Sequence, residues 1–151
     1  MSRGPRPTSS AVAIELEVPF HDVDGLRVAW HGHYCKYLEL ARTALFRSRR
    51  LDAPDLAELG YVFLVAETHL RHVRPLHYAD RFRVTAWYVE VDNRIRVAYQ
   101  LRVLPSEQVC AEGSTVLVTV SDAGELCLAT PPAILERLLA PGPGSASPER
   151  G

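Results

Sequence analysis

Residues 21–42 read HDVDGLRVAWHGHYCKYLELAR, a polar loop that runs without a break into a helix. From His31 to about Arg49 the apolar residues Tyr34, Tyr37, Leu38, Ala41, Ala44 and Leu45 recur at spacings of three and four, which places them on one broad face. Lys36, Glu39, Thr43, Arg47 and Arg50 form the opposite polar stripe. An apolar arc this wide has to be wrapped by something. A curved sheet is the natural partner, because the chain beyond the helix reads mostly as strand.

Upstream, Val12, Ile14, Leu16, Val18 and Phe20 alternate with other residues, the mark of a strand with one buried face. Downstream, LDAPDLAELG is a short helical turn or loop ending at Gly60. Tyr61 to Val73 is β-prone and stops at Arg74-Pro75. Asp80 to Val91 alternates, Asp92-Asn93 signals a hairpin, and Arg94 to Val103 alternates most cleanly. Pro105-Ser106-Glu107 turns the chain into a last long strand, Val109 to Val120. Pro131-Pro132 opens a short helix reaching about Leu139. The order is strand, long helix, four strands, short helix, which predicts an α+β domain with a mainly antiparallel five-stranded sheet. One helix leaves such a sheet with exposed edges, which favours pairing with a second subunit.

The 151 residues, 47% apolar and 23% charged, suffice for one core. The domain is expected over residues 11–140. The Pro-, Ser- and Arg-rich residues 1–10 and the tail PGPGSASPERG, 141–151, are expected to be disordered. A net charge of -1 gives no reason to expect nucleic-acid binding. MSRGPRPTSS lacks the apolar stretch of a secretory signal, and no apolar run is long enough for a membrane span. The three cysteines, Cys35, Cys110 and Cys127, show no C-x-x-C spacing, so a reducing, cytoplasmic setting is expected. Cys35 is expected to lie against the sheet.

The densest polar cluster, residues 20–34, holds two carboxylates and three histidines and leads into the helix N-terminus. The first helical turn has unpaired N–H groups and a partial positive charge, so a carbonyl oxygen placed there is polarised. A carboxylate just upstream can attack that carbonyl or serve as base for a water. A thioester suits this apparatus, because its thiolate leaves with little help from an acid. The sequence contains no G-x-S-x-G, no G-x-x-x-x-G-K-[ST], no G-x-G-x-x-G and no H-E-x-x-H.

The stretch at residues 21–42 resembles the signature of the 4-hydroxybenzoyl-CoA thioesterase family. LGYVFLVAETHLRHVRPLHYADRFRV and AEGSTVLVTV resemble its later strands, so the likeness covers roughly residues 12–135. The resemblance implies the hotdog fold, a long helix wrapped by a curved antiparallel sheet, assembled as a homodimer or homotetramer with sites between subunits. It implies hydrolysis of an acyl-CoA or acyl-carrier-protein thioester, with coenzyme A or phosphopantetheine entering as part of the substrate and no separate cofactor. It assigns the catalytic carboxylate to Asp24, the carbonyl-polarising N–H to His31, and the family's tyrosine to Tyr34. Glu39 and Arg42 match the helix Glu and Arg. Arg27 stands where Gly or a small residue is common, and His33 where Asn is usual. Both, with Trp30 and Gly32 beside the helix entrance, are expected at the substrate entry. Arg94 is a candidate for the coenzyme phosphates.

Each assignment has a plainer counterpart. An Asp before a helix usually serves a turn or cap. Asp22 reads as a loop-stabilising acceptor. The His21, Asp24, His31 and His33 group lacks the distal Cys/His pair of a metal site, so no metal is expected. Glu39 and Arg42 read as solvated or intersubunit residues, and Arg94 equally as a surface arginine. Trp30 and Trp87 read more readily as core or interface than as pocket wall. A non-catalytic hotdog module that binds acyl or aryl thioesters is the alternative function. A hotdog dehydratase fits less well, since its usual His/Glu motif is not evident.

Overall fold

The computed structural model describes residues 6–140. The expected disorder of residues 1–5 and 141–151 lies outside the described residues. Within the N-terminal segment that was expected to be loose, Ser10 is buried and its hydroxyl accepts the Tyr88 N–H at 3.3 Å.

The elements keep the expected order. β1 (Val12–Glu17) leads through the polar loop and a 3-10 turn at His31–His33 into α1 (Tyr34–Arg47). After it come α2 (Ala53–Leu59), β2 (Tyr61–His72), β3 (Arg81–Glu90), β4 (Ile95–Val103), β5 (Gln108–Ser121) and α3 (Pro132–Leu139). The long helix is therefore shorter than the periodicity suggests. Its first turn is 3-10 and it stops at Arg47, where the chain bends through Ser48–Arg50. Asp52 and Asp55 form a capping box at the start of α2, and Gly60 closes its end with φ 91°, a left-handed conformation that glycine adopts without steric cost.

The five strands form one antiparallel sheet in the order β1-β3-β4-β5-β2. β1 and β2 are the edges. α1 packs chiefly over β3 and β1. Tyr37, Leu38, Ala41 and Leu45 meet the inward set of the sheet, which includes Phe82 and Tyr99. Burying this seam is what holds the helix, at about 1.5–3 kcal/mol for each large side chain removed from water. Beneath the helix a polar chain is fully paired: Arg42 donates to the Tyr99 hydroxyl at 3.1 Å, and that hydroxyl pairs with Thr115.

Two features fix where the site can be. The pairing of β2 with β5 runs from Tyr61↔Ser121 to His72↔Ala111, so His72 is the last strand residue of an edge. The close approach of β2 and β5 near that end requires Gly113, where a Cβ would stand 2.3 Å from the His69 carbonyl oxygen. The other side of β2 is unpaired among the described residues, and the strand exposes Val62, Leu64 and Val65.

Candidate active site

Residues 22–30 fold back on themselves as a tight hairpin. Val23 bridges Ala29, the Asp24 N–H donates to the Val28 carbonyl at 3.0 Å, and the Arg27 N–H donates to the Asp24 carbonyl at 2.9 Å. Arg27 closes this turn with φ 67°. That left-handed conformation explains why glycine would be favoured at this position. The hairpin is pinned to the domain by Val28↔His77 and by the Ala29 N–H, which donates to the Leu76 carbonyl at 2.7 Å.

Asp24 sits at the start of this turn, half-buried. Its Oδ1 accepts the Leu26 N–H at 2.8 Å. No hydrogen bond reaches Oδ2 from the described residues. One oxygen thus serves the turn and fixes the carboxylate, and the other is left for a ligand. Asp24, His31, Tyr34 and His72 line one open cavity of about 360 Å³, bordered by Leu26, Val28 and the Val73–Pro75 segment. The mouth of α1 carries no side-chain cap, and the His31 N–H has no acceptor among the described residues. A carboxylate and an uncapped helix start therefore share one cavity, which is the arrangement an acyl-transfer centre requires.

Tyr34 is buried, and burial pushes its phenol up to about 12, so it stays protonated at neutral pH. Its ring forms the cavity floor and packs against His72, 4.7 Å between centroids. Gly32 lies under Trp30, whose half-exposed indole stands between the rings of His31 (5.2 Å) and His33 (5.4 Å). A Cβ on Gly32 would meet that indole at 2.3 Å. The Gly32→Ala substitution should therefore swing Trp30 off the helix mouth. We expect a changed tryptophan emission and a raised KM, with a melting temperature shifted by no more than about 4 °C because the displaced ring is exposed.

His33 turns away from the cavity. Its Nδ1 lies 3.7 Å from Asp22 Oδ1. Asp22 is fully buried and accepts from Lys36 Nζ (2.8 and 2.9 Å) and from the Tyr37 hydroxyl (2.6 Å). It is the loop-stabilising acceptor the sequence suggests. Arg27 is exposed on the hairpin turn. Arg94 lies beyond the Glu90 end of β3, where its Nε is 3.6 Å from Glu90. Asp24 lies past the opposite end, where Glu17 pairs Arg81, so Arg94 does not line the cavity of its own chain. Glu39 and Arg42 line a separate cleft between α1 and β2 with Cys35, Thr68 and Thr115. Cys35 is exposed there rather than sealed against the sheet, because Tyr34, Tyr37 and Leu38 take the inward positions of α1. Trp87 is buried as expected, whereas Trp30 is not core.

His72 is the cavity residue that sequence reasoning missed. It sits in a β-prone run, THLRHV, with no motif around it. The available signal was its place just before Arg74-Pro75, where a strand must stop.

The family model described as the thioesterase-like superfamily matches residues 18–138. A provisionally named esterase of Synechocystis, sll0410, is 30% identical over 129 residues, covering 83% of this chain and 77% of that protein. Among solved structures, the 1,4-dihydroxy-2-naphthoyl-CoA thioesterase Slr0204 of Synechocystis superposes with a TM-score of 0.75 at 18% identity, covering 85% of this chain and 95% of that one. A variant 4-hydroxybenzoyl-CoA thioesterase solved with 4-hydroxybenzoyl-CoA gives 0.76 at 17% identity, covering 85% and 99%. At those identities the likeness establishes the fold, and the hotdog arrangement expected from the sequence is the one found. By the family match across most of its length, the chain belongs to the thioesterase-like superfamily.

Proposed function

We propose that this protein hydrolyses an acyl thioester to the free acid and the thiol, with Asp24 as the carboxylate on which the reaction depends. The observation that carries this reading is the shared cavity: Asp24, with one oxygen unengaged by the described residues, and His31 at the uncapped start of α1 line the same space. The thioester carbonyl would sit at the helix mouth, where backbone N–H groups and the helix dipole favour negative charge on its oxygen. The leaving group would be coenzyme A or the phosphopantetheine arm of a carrier protein. Solved relatives bearing CoA-thioesterase names support the first of these.

The working unit in this reading is a pair of chains. β2 is an unpaired edge that exposes Val62, Leu64 and Val65, and such an edge is stable in water when a second copy covers it.

The test is thiol release from acetyl-, octanoyl-, palmitoyl- and benzoyl-CoA and from the matching acyl-carrier-protein thioesters. Turnover of at least one member, absent from Asp24→Asn, is the expected result. Tight binding of these compounds with no thiol released by the wild type would replace hydrolysis with the binding-module reading.

A further inference from the structure

We propose that His72 is a further residue of the reacting centre, an imidazole supplied by the edge strand that takes the proton of the water completing hydrolysis. This rests on the reading of Asp24 as the hydrolytic carboxylate. The placement of His72 is a consequence of the fold. It ends β2 opposite Ala111, and the next two N–H groups, of Val73 and Arg74, both donate to the Cys110 carbonyl (2.8 and 3.1 Å), which anchors the backbone just after it. Its ring stands nearly perpendicular to Tyr34, 73° and 4.7 Å away, and the His31 ring lies 6.3 Å off. His72 is exposed, and its ring packs edge-on against buried Tyr34 at the rim of the cavity that Asp24 and His31 share.

The titratable and charged groups facing His72 are Asp24 from the loop, His31 and Tyr34 from the helix, and Arg74 from the turn after β2. β5 adds no charge there, since it places Ala111 opposite and buried Cys110 behind. No described carboxylate forms an ion pair with His72, unlike His21, His33, His69 and His77. Loss of solvent around the ring, then the charge of His31, hold its pKa below the ordinary imidazole range. His72 is therefore a neutral base near pH 7, whereas Tyr34 keeps its proton.

The chemistry divides between the two residues. An Asp24 oxygen bonds to the thioester carbonyl carbon, and the C–S bond breaks with its electron pair on sulfur, which takes a proton from solvent. The acyl group is left on Asp24 as an anhydride. Water then bonds to the acyl carbon, its proton passes to the free ring nitrogen of His72, and the bond from the acyl carbon to Asp24 breaks to restore the carboxylate. His72 returns its proton to solvent. One water is consumed, and one acid and one thiol are released.

His72→Gln should uncouple the halves. With the fastest CoA ester of the panel, rapid mixing should show a burst of about one thiol per site, then steady turnover reduced at least about tenfold. The limb of the kcat profile that falls with acid through the imidazole range should vanish, while kcat/KM, set by the thiol-releasing half, should change little. His72→Asn should behave in the same way. Turnover within about threefold of wild type, or slow turnover with no burst, would overturn the proposal. The Asp24→Asn control separates the two readings. If that variant still turns over, the Asp24 assignment fails and this inference with it. If it is inactive while His72→Gln is fully active, only the role of His72 is lost.

Discussion

Replacing Asp24 by Asn should lower kcat by about 10³-fold or more while leaving the fold intact. The separation of the two effects comes from the geometry. In the native turn the side chain does one structural job, accepting the Leu26 N–H through Oδ1. An asparagine oxygen accepts the same bond, and Asp24 is half-buried with no ion pair among the described residues, so no charge partner is stranded. What is removed is a negative oxygen able to attack a carbonyl or take a proton. KM should change little, because an amide of the same shape preserves the cavity wall. Asp24→Ala, by contrast, should also cost about 1 kcal/mol through the lost turn bond. Thiol-release kinetics and thermal melts of the two variants make the check. An Asp24→Asn enzyme within about tenfold of wild type would remove the carboxylate from the reaction.

The comparison of sequence with structure turns on which information is local. β4 was legible because its alternation of Ile95, Val97, Tyr99 and Leu101 is the pleat itself. The end of α2 was legible because Gly60 is a local conformational requirement, while the segment before it read equally as a turn or a loop. The order β1-β3-β4-β5-β2 was not, since it depends on which distant strands pair, and no residue of β2 announces that β5 and not β3 lies beside it. That non-local fact also hid His72. Its meaning arises only when the end of β2 comes to rest beside the mouth of α1, some forty residues earlier in the chain. Arg94 illustrates the opposite case. Its charge and hairpin position were readable, but β3 carries it to the far end of the sheet, where Glu90 pairs with it. His33 was legible as a site residue only by adjacency, and the 3-10 turn points its ring at Asp22 instead.

Asp22 should behave as the converse of Asp24, costing stability first. Asp22→Ala is expected to lower unfolding free energy by about 2–4 kcal/mol. The carboxylate is fully buried, and the substitution leaves the Tyr37 hydroxyl without its partner inside the protein. Lys36 loses the same partner but is half-exposed and can return to water, which keeps the cost below that of stranding two buried charges. Burial by itself would raise the Asp22 pKa. The hydrogen bonds from Lys36 and Tyr37, with the charges of Lys36 and His33, outweigh it and leave the value below the ordinary 3.8. A carboxylate whose pKa falls on folding contributes stability in full above its unfolded value and loses it as pH drops through the folded one. The gap in urea midpoint between wild type and Asp22→Asn should therefore be constant from about pH 7 to 5 and shrink below about pH 4. A gap independent of pH would mean that packing, not charge, is what Asp22 contributes. Through its side chain Asp22 also ties the loop to α1, at Lys36 and Tyr37. Loosening that tie in Asp22→Ala should lower kcat through misplacement of Asp24 and His31, by less than the loss in Asp24→Asn and in proportion to the stability lost.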